Sequence, residues 1–475
     1  MLLFLFLGLS LAGAAQTYDL VVAGGRVMDP ESKLDAVRHL GIRGGKIAAI
    51  SATPLTGTRT IDAKGLVVAP GFIDLHAHGQ DAENQRYQVR DGVTTALELE
   101  IGAYDIDAWY KEREGKRLIH SGVSMGHVPS RMSVMRDAAL TTSLVPSGDG
   151  ARRGSSDEEI TVMKRSVERG LQQGALGVGF GIQYTPAASR WEILEMFRVA
   201  GRFHAPVFVH IRHMGDAEPD ALNALEEVIS AATVTGAPLH VVHITSSGLA
   251  QTPKLLQTIQ EAQARGMDIT TECYPYNAAM TSMNSAMFDP GWQKILGISY
   301  DRLEWAATGE RLTEETFRKY RPQPGMVIMH MIPDKIVEQA VAHPMTMIAS
   351  DGMITNGKGH PRGAGTYARM LGYWSRERNS LSLMEAIRKM ALMPAQRLER
   401  LAPQMKNKGR IRVGADADLA VFDAAKVIDR ATFQQPALPS EGIPYVVVGG
   451  VPVVDKGTLR EGVFPGAAVR APIRP

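Results

Sequence analysis

Two histidines at the end of an apolar segment are spaced to bind one metal ion. Val67 to Leu75 is apolar enough for a buried strand, broken only by Pro70-Gly71, and His76 and His78 follow it. Alternation along a strand puts residues two apart on one side, so both imidazoles can face one ion. A His-x-His alone is more often a solvated or packed pair, so a metal site requires further ligands.

Further ligands stand at the ends of other predicted strands. His210 follows Val207 to Val209, His243 follows Val241-Val242, and Asp351 follows Ile348 to Ser350. The carboxyl ends of barrel strands meet at one mouth, whatever their separation in the chain. Taken singly, His210 and His243 would each be interpreted as a buried core histidine, and Asp351 as a turn residue. Together, histidines and carboxylates at one mouth predict a site for a borderline divalent ion such as zinc.

Glu98 and Glu100 are candidates for a carboxylate ligand. Strand alternation puts both on one face, opposite Leu97 and Leu99. Two carboxylates inside a barrel are costly unless they are paired or bound to metal. Glu100 is nearer the mouth and is the preferred ligand, whereas Glu98 is expected one layer deeper, beside a basic partner. If the strand ended early, both would instead be solvated.

Strand and helix patterns alternate along the part of the chain that carries these residues. Ser156-x-x-Glu159 is a capping box before an apolar helical face, and the device recurs at Ser189 and Ser382. About eight strands predict an α/β fold with a (β/α)8 TIM-like barrel over residues 69–404. Residues 277–323 lack this regularity and are expected to be an insertion after the seventh strand, at the active-site mouth. The strand candidates are Val93 to Glu100, Leu118 to Met125, Ala175 to Phe180, Pro206 to His210, Leu239 to Ile244, Met267 to Glu272 and Met345 to Ala349, with Met326 to His330 as an extra one.

Both chain ends carry short strands with glycine turns. Residues 17–68 and 405–475 each have too few strands for a stable core, since isolated hairpins are marginal. We therefore predict that they combine into one small β-sandwich domain beside the barrel.

Composition and the N-terminus limit the class of protein. The 475 residues are 44% hydrophobic and 21% charged with a net charge of +2, which gives no case for nucleic acid as a partner. The apolar run Leu2 to Leu11, followed by small residues, predicts a signal peptide over residues 1–15 and export to the periplasm or the medium. No other run reaches the roughly 18 apolar residues of a membrane span. The single cysteine, Cys273, excludes an intrachain disulfide and a cysteine-rich zinc site, and is expected to be an inert packed thiol.

The chain resembles the amidohydrolase superfamily and, within it, the N-acyl-D-amino-acid deacylase (D-aminoacylase-like) branch. The similarity covers nearly the whole chain after the predicted signal peptide, in order. It is carried by the segments Pro70 to His78, Gly92 to Thr95, Gly174 to Gly177, Tyr184 to Pro186, His210 to Arg212, Tyr274 to Tyr276, Ser350 to Gly352, His360 to Arg362, and Lys408 to Ile411 with Asp416 to Leu419.

The resemblance implies roles for individual residues. It implies a metal held by the strand-end histidines, with Asp351 as catalytic base. It also implies that Tyr184, Arg212 and the loop of His360 and Arg362 hold substrate. Arg362 in particular suits a bidentate clamp on a substrate carboxylate, although an ordinary surface arginine is an equal alternative.

The chain departs from the branch at two places. Ile101 stands where the deacylases carry a metal-binding cysteine, and Ile244-Thr245 stands where they typically have His-Lys. Gly174 to Phe180 has no lysine, so a carbamylated-lysine bridge is excluded there. We therefore expect a glutamate as the substitute ligand, giving His76, His78, Glu100, His210, His243 and Asp351 as the metal ligands of one or two Zn²⁺ ions.

The expected reaction is hydrolysis of a small-molecule amide, most simply the deacylation of an N-acyl-D-amino acid. A dipeptidase or a cyclic-amide hydrolase on the same site is the alternative within the hydrolases. A barrel without catalysis, acting as a binding protein, is the alternative from another class, and it should hold less than one equivalent of metal. The acyl group, the chirality of the substrate and the oligomeric state stay open.

Overall fold

Eight parallel strands form the central barrel of the molecule. The computed structural model describes residues 17–474, so the predicted signal peptide lies outside the described residues. The strands follow one another in chain order, and the barrel is closed where His76 O accepts from Asp351 N (2.7 Å) and Gly352 O accepts from His78 N (3.1 Å). We number them β1 (Phe72–Asp74), β2 (Val93–Ala103), β3 (His120–Gly126), β4 (Val178–Gly181), β5 (Val207–His210), β6 (Leu239–Val241), β7 (Ile269–Cys273) and β8 (Thr346–Ile348).

Helices follow the strands and begin at the capping residues that the sequence indicates. Ser156 and Glu159 form a complete capping box, whereas Ser189 and Ser382 cap their helices by the serine side chain alone. No helix within residues 17–474 is long and apolar enough to cross a membrane. The α-helices are Ala82–Arg90, Ile106–Glu112, His127–Val134, Asp149–Arg152, Asp157–Gln172, Arg190–Phe203, Ala221–Thr235, Ile244–Gly248, Thr252–Ala264, Trp292–Leu296, Glu314–Tyr320, Asp334–Ala342, Arg362–Arg369, Leu383–Ile387 and Met393–Leu398, with π-helical turns at Met370–Glu377 and Arg388–Leu392.

The insertion after β7 is larger and more regular than predicted. Four antiparallel strands form a sheet in it, and the extra strand candidate beginning at Met326 belongs to this sheet and not to the barrel. The irregular sequence concealed the sheet because its strands are only two to four residues long. These strands are Ala279–Ser282, Leu303–Trp305, Glu310–Arg311 and Met326–Met329.

The two chain ends both contribute strands to one nine-stranded hydrogen-bonded sheet, where the sequence predicted a small sandwich. The ends join where Leu419–Phe422 pairs antiparallel with Val67–Pro70, directly before β1. Residues of both ends share one buried cluster, which includes Val22, Leu40 and Val447. The strands are Tyr18–Asp29, Leu34–Arg43, Lys46–Ser51, Gly57–Asp62, Val67–Pro70, Leu419–Phe422, Tyr445–Val448, Val451–Asp455 and Thr458–Leu459.

The last residues of the chain contact the barrel, although the sequence predicted them within the small β domain. Val469 N donates to Ser121 O (2.8 Å) and Ala471 N donates to Gly174 O (3.0 Å). Val469 is buried with Leu176 of the barrel. The end of the 405–475 segment is therefore packed on the barrel, beside the start of β3 and the residues that precede β4.

Candidate metal centre

The barrel brings all six predicted ligand residues to its carboxyl end. Two of them, His243 and Asp351, have left-handed backbone φ angles of 33° and 50°. This conformation costs a non-glycine residue about 1–2 kcal/mol, and such strain is characteristic of functional positions. Five strands position these residues. His76 and His78 follow β1, Glu100 lies within β2, His210 ends β5, His243 follows β6 and Asp351 follows β8.

Four of these side chains form what we name the HxH group: His76, His78, Glu100 and Asp351. Nε2 of His76 lies 3.2 Å from Nε2 of His78, and each lies 3.1 Å from Oε2 of Glu100. Oδ1 of Asp351 lies 3.5 Å and 3.2 Å from the same two nitrogens. Bonds of about 2.0–2.1 Å in a tetrahedron separate neighbouring ligand atoms by about 3.3–3.4 Å. The HxH group is therefore spaced to hold one zinc ion.

A second set, the His210 group, consists of Glu100, His210 and His243. Oε1 of Glu100 lies 2.8 Å from Nδ1 of His210 and 3.2 Å from Nε2 of His243, and these two nitrogens are 3.0 Å apart. Three protein ligands define one face of a tetrahedron and leave the fourth position for water or substrate. Because Glu100 turns one oxygen toward each group, it is positioned to bridge two ions.

A partner on the far side of each histidine fixes which nitrogen faces the metal. Glu272 Oε1 lies 2.7 Å from Nδ1 of His76, and Glu98 Oε2 lies 2.7 Å from Nδ1 of His78. A carboxylate can only accept, so Nδ1 carries the hydrogen and Nε2 is left for the metal. Glu98 thus lies behind a ligand histidine and is not part of either ligand cluster.

The other two histidines have uncharged partners. Oε1 of Gln183 lies 2.6 Å from Nε2 of His210, so Nδ1 of that ring faces Glu100. Oγ of Ser247 lies 3.2 Å from Nδ1 of His243. Sequence reasoning assigned no role to Glu272, Gln183 or Ser247. Of these three, only Glu272 could have been suspected from the sequence, because it is a carboxylate at the end of the predicted strand Met267 to Glu272.

The electrostatics of the site favour a cation. Burial lowers the pKa of His76, but the charges of Asp351 and Glu100 outweigh it and hold that pKa well above its usual value. Burial likewise lowers the pKa of His78, and Glu98 and Asp351 raise it well above normal. Burial raises the pKa of Glu100, yet the histidines around it hold that pKa well below its usual range. A buried pocket this negative suits the positive charge and nitrogen and oxygen ligands of zinc.

Arg362 lies against Asp351 in the wall of the site. Nη1 of the buried guanidinium is 3.0 Å from Oδ2 of Asp351, and the group stacks over the ring of Tyr274 at 4.5 Å. Burial raises the pKa of Asp351, but the opposing charges, of which Arg362 and then His76 have the largest effect, hold that pKa well below its usual range. The carboxyl is therefore ionised. Among the described residues, neither Arg362 Nε nor the Tyr274 hydroxyl has a hydrogen-bond partner. Unpartnered buried donors beside the metal ligands indicate a place for an anionic ligand group.

Tyr184 lies over the His210 group. Its ring centroid is 4.8 Å from that of His210, and its hydroxyl oxygen accepts a hydrogen bond from Thr281 (3.1 Å). Since Thr281 donates, the Tyr184 hydroxyl keeps its own hydrogen for a further acceptor.

Two residues expected to hold substrate are already engaged. Nε and Nη2 of Arg212 donate to Glu227 (2.8 and 2.7 Å), and Nη1 donates to the Ala188 carbonyl (2.9 Å). His360 lies 3.0 Å from the Ala278 carbonyl through Nε2, and its Nδ1 accepts from Arg362 N. The substrate-binding roles expected for Arg212 and His360 stay predictions, and in this structure the polar atoms of both side chains bond other parts of the protein. They hold the loop after Tyr184 and the backbone of Arg362.

Cys273 fits the inert role predicted for it. Burial raises the pKa of its thiol to about 12, so the thiolate that binds metal is scarcely formed near neutral pH.

Comparison with known proteins shows that the chain is similar to amidohydrolases. A family model described as "Amidohydrolase family" matches residues 146–454. The chain is 30% identical to a D-aminoacylase of Alcaligenes xylosoxydans xylosoxydans, covering 92% of this chain and 95% of that protein. It is also 30% identical to an N-acyl-D-glutamate deacylase of the same organism, covering 92% and 93%.

A solved structure has the same architecture. The N-acyl-D-glutamate deacylase of Bordetella bronchiseptica, determined with zinc and a phosphonate inhibitor that mimics the tetrahedral intermediate, superimposes with a TM-score of 0.82 at 25% identity. The match covers 96% of this chain and all of that one.

Proposed function

The chain belongs to the amidohydrolase family, and from this we propose that it is a metal-dependent deacylase of N-acyl-D-amino acids. The observation that carries the proposal is the contact between Asp351 and Arg362 beside the ligand residues (3.0 Å). It puts a proton acceptor and a carboxylate-binding cation on the same side of the metal centre. Preference for the D configuration is supported by the relatives alone.

The six ligand residues would hold Zn²⁺, which supplies a polarised amide carbonyl and an acidified water when bound. Asp351 accepts the proton of the attacking water and delivers it to the amine nitrogen as the C–N bond breaks. The products are a carboxylate from the acyl group and a free amino acid. An ionised Asp351 is required at the start, and Arg362 helps to keep it so.

The remaining wall residues bind and orient the substrate. Arg362 and Tyr274 have the unpartnered donors for the α-carboxylate of the amino acid. Tyr184 has a free hydroxyl hydrogen for the carbonyl oxygen on which negative charge develops. Together these contacts would align the amide with Asp351.

A substrate panel tests this function. The zinc-loaded protein is incubated with N-acetyl-D- and N-acetyl-L-amino acids, dipeptides and cyclic amides, and amine release is measured. Hydrolysis of the N-acetyl-D-amino acids is expected. Turnover confined to dipeptides or cyclic amides would replace the proposal by one of the alternatives, and stoichiometric zinc with no turnover on any substrate would refute the deacylase.

We also propose that the protein is exported. The support is the apolar run Leu2 to Leu11 and the small residues that follow it. Cell fractionation and N-terminal sequencing of the native protein test this. A cytoplasmic protein that retains residues 1–15 would contradict it.

A further inference from the structure

The segment that follows Asp351 forms a short hairpin. Ile354–Thr355 pairs antiparallel with Lys358–Gly359, and the turn between them has left-handed φ angles of 51° at Asn356 and 71° at Gly357. Asn-Gly is the residue pair that such a tight turn favours. Because the hairpin begins so soon after Asp351, its position bears on the carboxylate that is proposed to move the proton.

One asparagine side chain binds this hairpin as a neighbouring strand would. Nδ2 of Asn84 donates to the carbonyl oxygen of Ile354 (2.8 Å), and Oδ1 of Asn84 accepts from the N–H of Ile354 (2.8 Å). A single amide can thus pair both backbone groups of one residue, since it donates and accepts at once. Asn84 is 1% exposed, so water does not compete for these bonds. We propose that Asn84 is a positioning residue, which holds the Asp351 segment in place for proton transfer.

The helix that carries Asn84, Ala82–Arg90, is itself bound to the segment after the His-x-His pair. Nε2 of Gln88 in this helix donates to the carbonyl oxygen of Gly79 (2.9 Å). A Cβ added to Gly79 would lie 2.1 Å from Cγ of Asn84, so only glycine permits this close approach. The amide of Asn84 therefore joins the segment after the two ligand histidines to the segment after Asp351.

The residue before Asn84 binds the turn of the same hairpin. The carboxylate of the partly buried Glu83 accepts from the N–H groups of Asn356 (3.0 Å) and Gly357 (2.8 Å). Two consecutive helix residues therefore hold the hairpin, Asn84 at its first residue and Glu83 at its turn.

Hydrogen exchange tests this contact without reference to the reaction. In the full-length protein as purified, Asn84→Leu removes both bonds to Ile354, so the amides of residues 353–359 should exchange about tenfold faster than in wild type. Mass spectrometry of the exchanged protein measures this. The matched control is Asn223→Leu, because Asn223 also lies at the third position of a helix capped by an aspartate, and its Oδ1 accepts from Asp220 N. It should leave the exchange of residues 353–359 unchanged.

Steady-state kinetics of the zinc-loaded proteins test the positioning of Asp351, and this part rests on the proposed function. Asn84→Leu should lower kcat for N-acetyl-D-amino acids at least about tenfold, because a misplacement of about 1 Å can cost about 100-fold. KM should stay near that of wild type, because Arg362 is held separately, by His360 Nδ1 and by stacking on Tyr274. A residue needed only for folding would lower the melting temperature and leave kcat per folded molecule unchanged.

Glu83→Ala is the second variant, because it removes only the partner of the turn. It should speed the exchange of the Asn356 and Gly357 amides and lower kcat about threefold. Its control is Glu158→Ala, at the second position of another capped helix. If thermal melting shows that Asn84→Leu does not fold, Glu83→Ala decides by the same two measurements.

The proposal is refuted if folded Asn84→Leu exchanges residues 353–359 at the wild-type rate, or if faster exchange there leaves kcat at the wild-type value. Failure of the proposed function has a different signature, because wild type itself then hydrolyses none of the acyl amino acids. The role in proton transfer would fall with that function, whereas the exchange rates would still show whether Asn84 holds the segment.

Discussion

Arg362 is a buried cation whose ion pair is with Asp351, the residue proposed to move the proton. It is 2% exposed, so its charge is costly unless an anion lies beside it. Its Nε has no hydrogen-bond partner among the described residues, and in the proposed function this atom binds the substrate carboxylate while Nη1 stays beside Asp351. At the scale of single residues, binding and proton transfer thus depend on one guanidinium.

Replacing Arg362 by Gln is expected to raise KM for N-acyl amino acids about 10–150-fold, because a charge-assisted hydrogen bond contributes about 1.5–3 kcal/mol. Steady-state kinetics measure this. Arg369→Gln, on the same helix but bonded to Asp429 and the Pro275 carbonyl, is the control and should keep the wild-type KM. An equal rise in KM for the two variants would contradict the assignment.

Glu192 shows how a buried residue outside the two ligand clusters carries pH dependence. It is fully buried and lies 2.8 Å from Nε2 of His127 and 2.7 Å from Nη1 of Arg131. Burial raises its pKa, but His127 and Arg131 lower it to about 2. A lowered pKa stabilises the fold above the unfolded value near 4.5, and this stabilisation is lost as the pH falls toward 2.

Glu192→Gln removes that titration. We expect the free energy of unfolding of the variant to be lower than that of wild type at pH 7, and the gap to shrink by about 3 kcal/mol between pH 5 and pH 2. Urea unfolding of both chelator-treated proteins over this range measures the gap. A gap that stays constant with pH would show that Glu192 does not titrate as its environment indicates.

At the scale of elements, the insertion forms one wall of the site and is tied to the barrel by Asp289. The carboxylate of Asp289 accepts from Arg152 (2.9 and 2.7 Å) and from Arg321 (2.8 Å). Thr281, whose hydroxyl bonds Tyr184, lies in the first strand of this insertion. The anchor therefore bears on the position of a residue proposed to bind substrate.

Asp289→Asn should loosen the insertion with little change in global stability, since the anchor is partly exposed and contributes about 1 kcal/mol. Trypsin cleavage within residues 283–323 is expected to become about fivefold faster, because local opening follows local stability. The control is Asp301→Asn in the same insertion, whose carboxylate bonds the Ser299 hydroxyl. Equal cleavage rates in the two variants would show that Asp289 is not the anchor.

At the scale of the whole molecule, Asp418 joins the small domain to the barrel. Its oxygens accept from Gly449 N (2.7 Å), Lys408 Nζ (2.7 Å) and His120 Nε2 (2.9 Å) of β3. Burial raises the pKa of Asp418, but His120 and Lys408 hold it well below its usual range. The Asp418 carboxylate thus connects the small domain to a barrel residue, His120, that lies 298 positions earlier in the chain.

Asp418→Asn leaves the cation of Lys408 buried beside Asp416 alone and is expected to cost about 3–5 kcal/mol. Urea unfolding gives the loss as a lower midpoint. Asp416→Asn, whose carboxylate is 18% exposed, should cost less than half as much. Comparable losses in both variants would refute the special role of Asp418.

The barrel, the joining of the two chain ends and the metal-ligand candidates could be predicted from the amino-acid sequence. Each depends on information local to a strand, namely its periodicity, the residue at its end and the turn that follows. A parallel barrel brings its strand ends to one mouth, so the convergence of His76, His210, His243 and Asp351 followed without knowledge of any contact.

The partners of the polar side chains became visible only in the folded protein. It showed Glu272 behind His76, 196 positions away, and it showed Arg212 bound to Glu227. It also resolved the insertion into a sheet. The physical reason is that hydrogen bonds and ion pairs depend on distances of about 3 Å between groups remote in the chain, which no local pattern specifies.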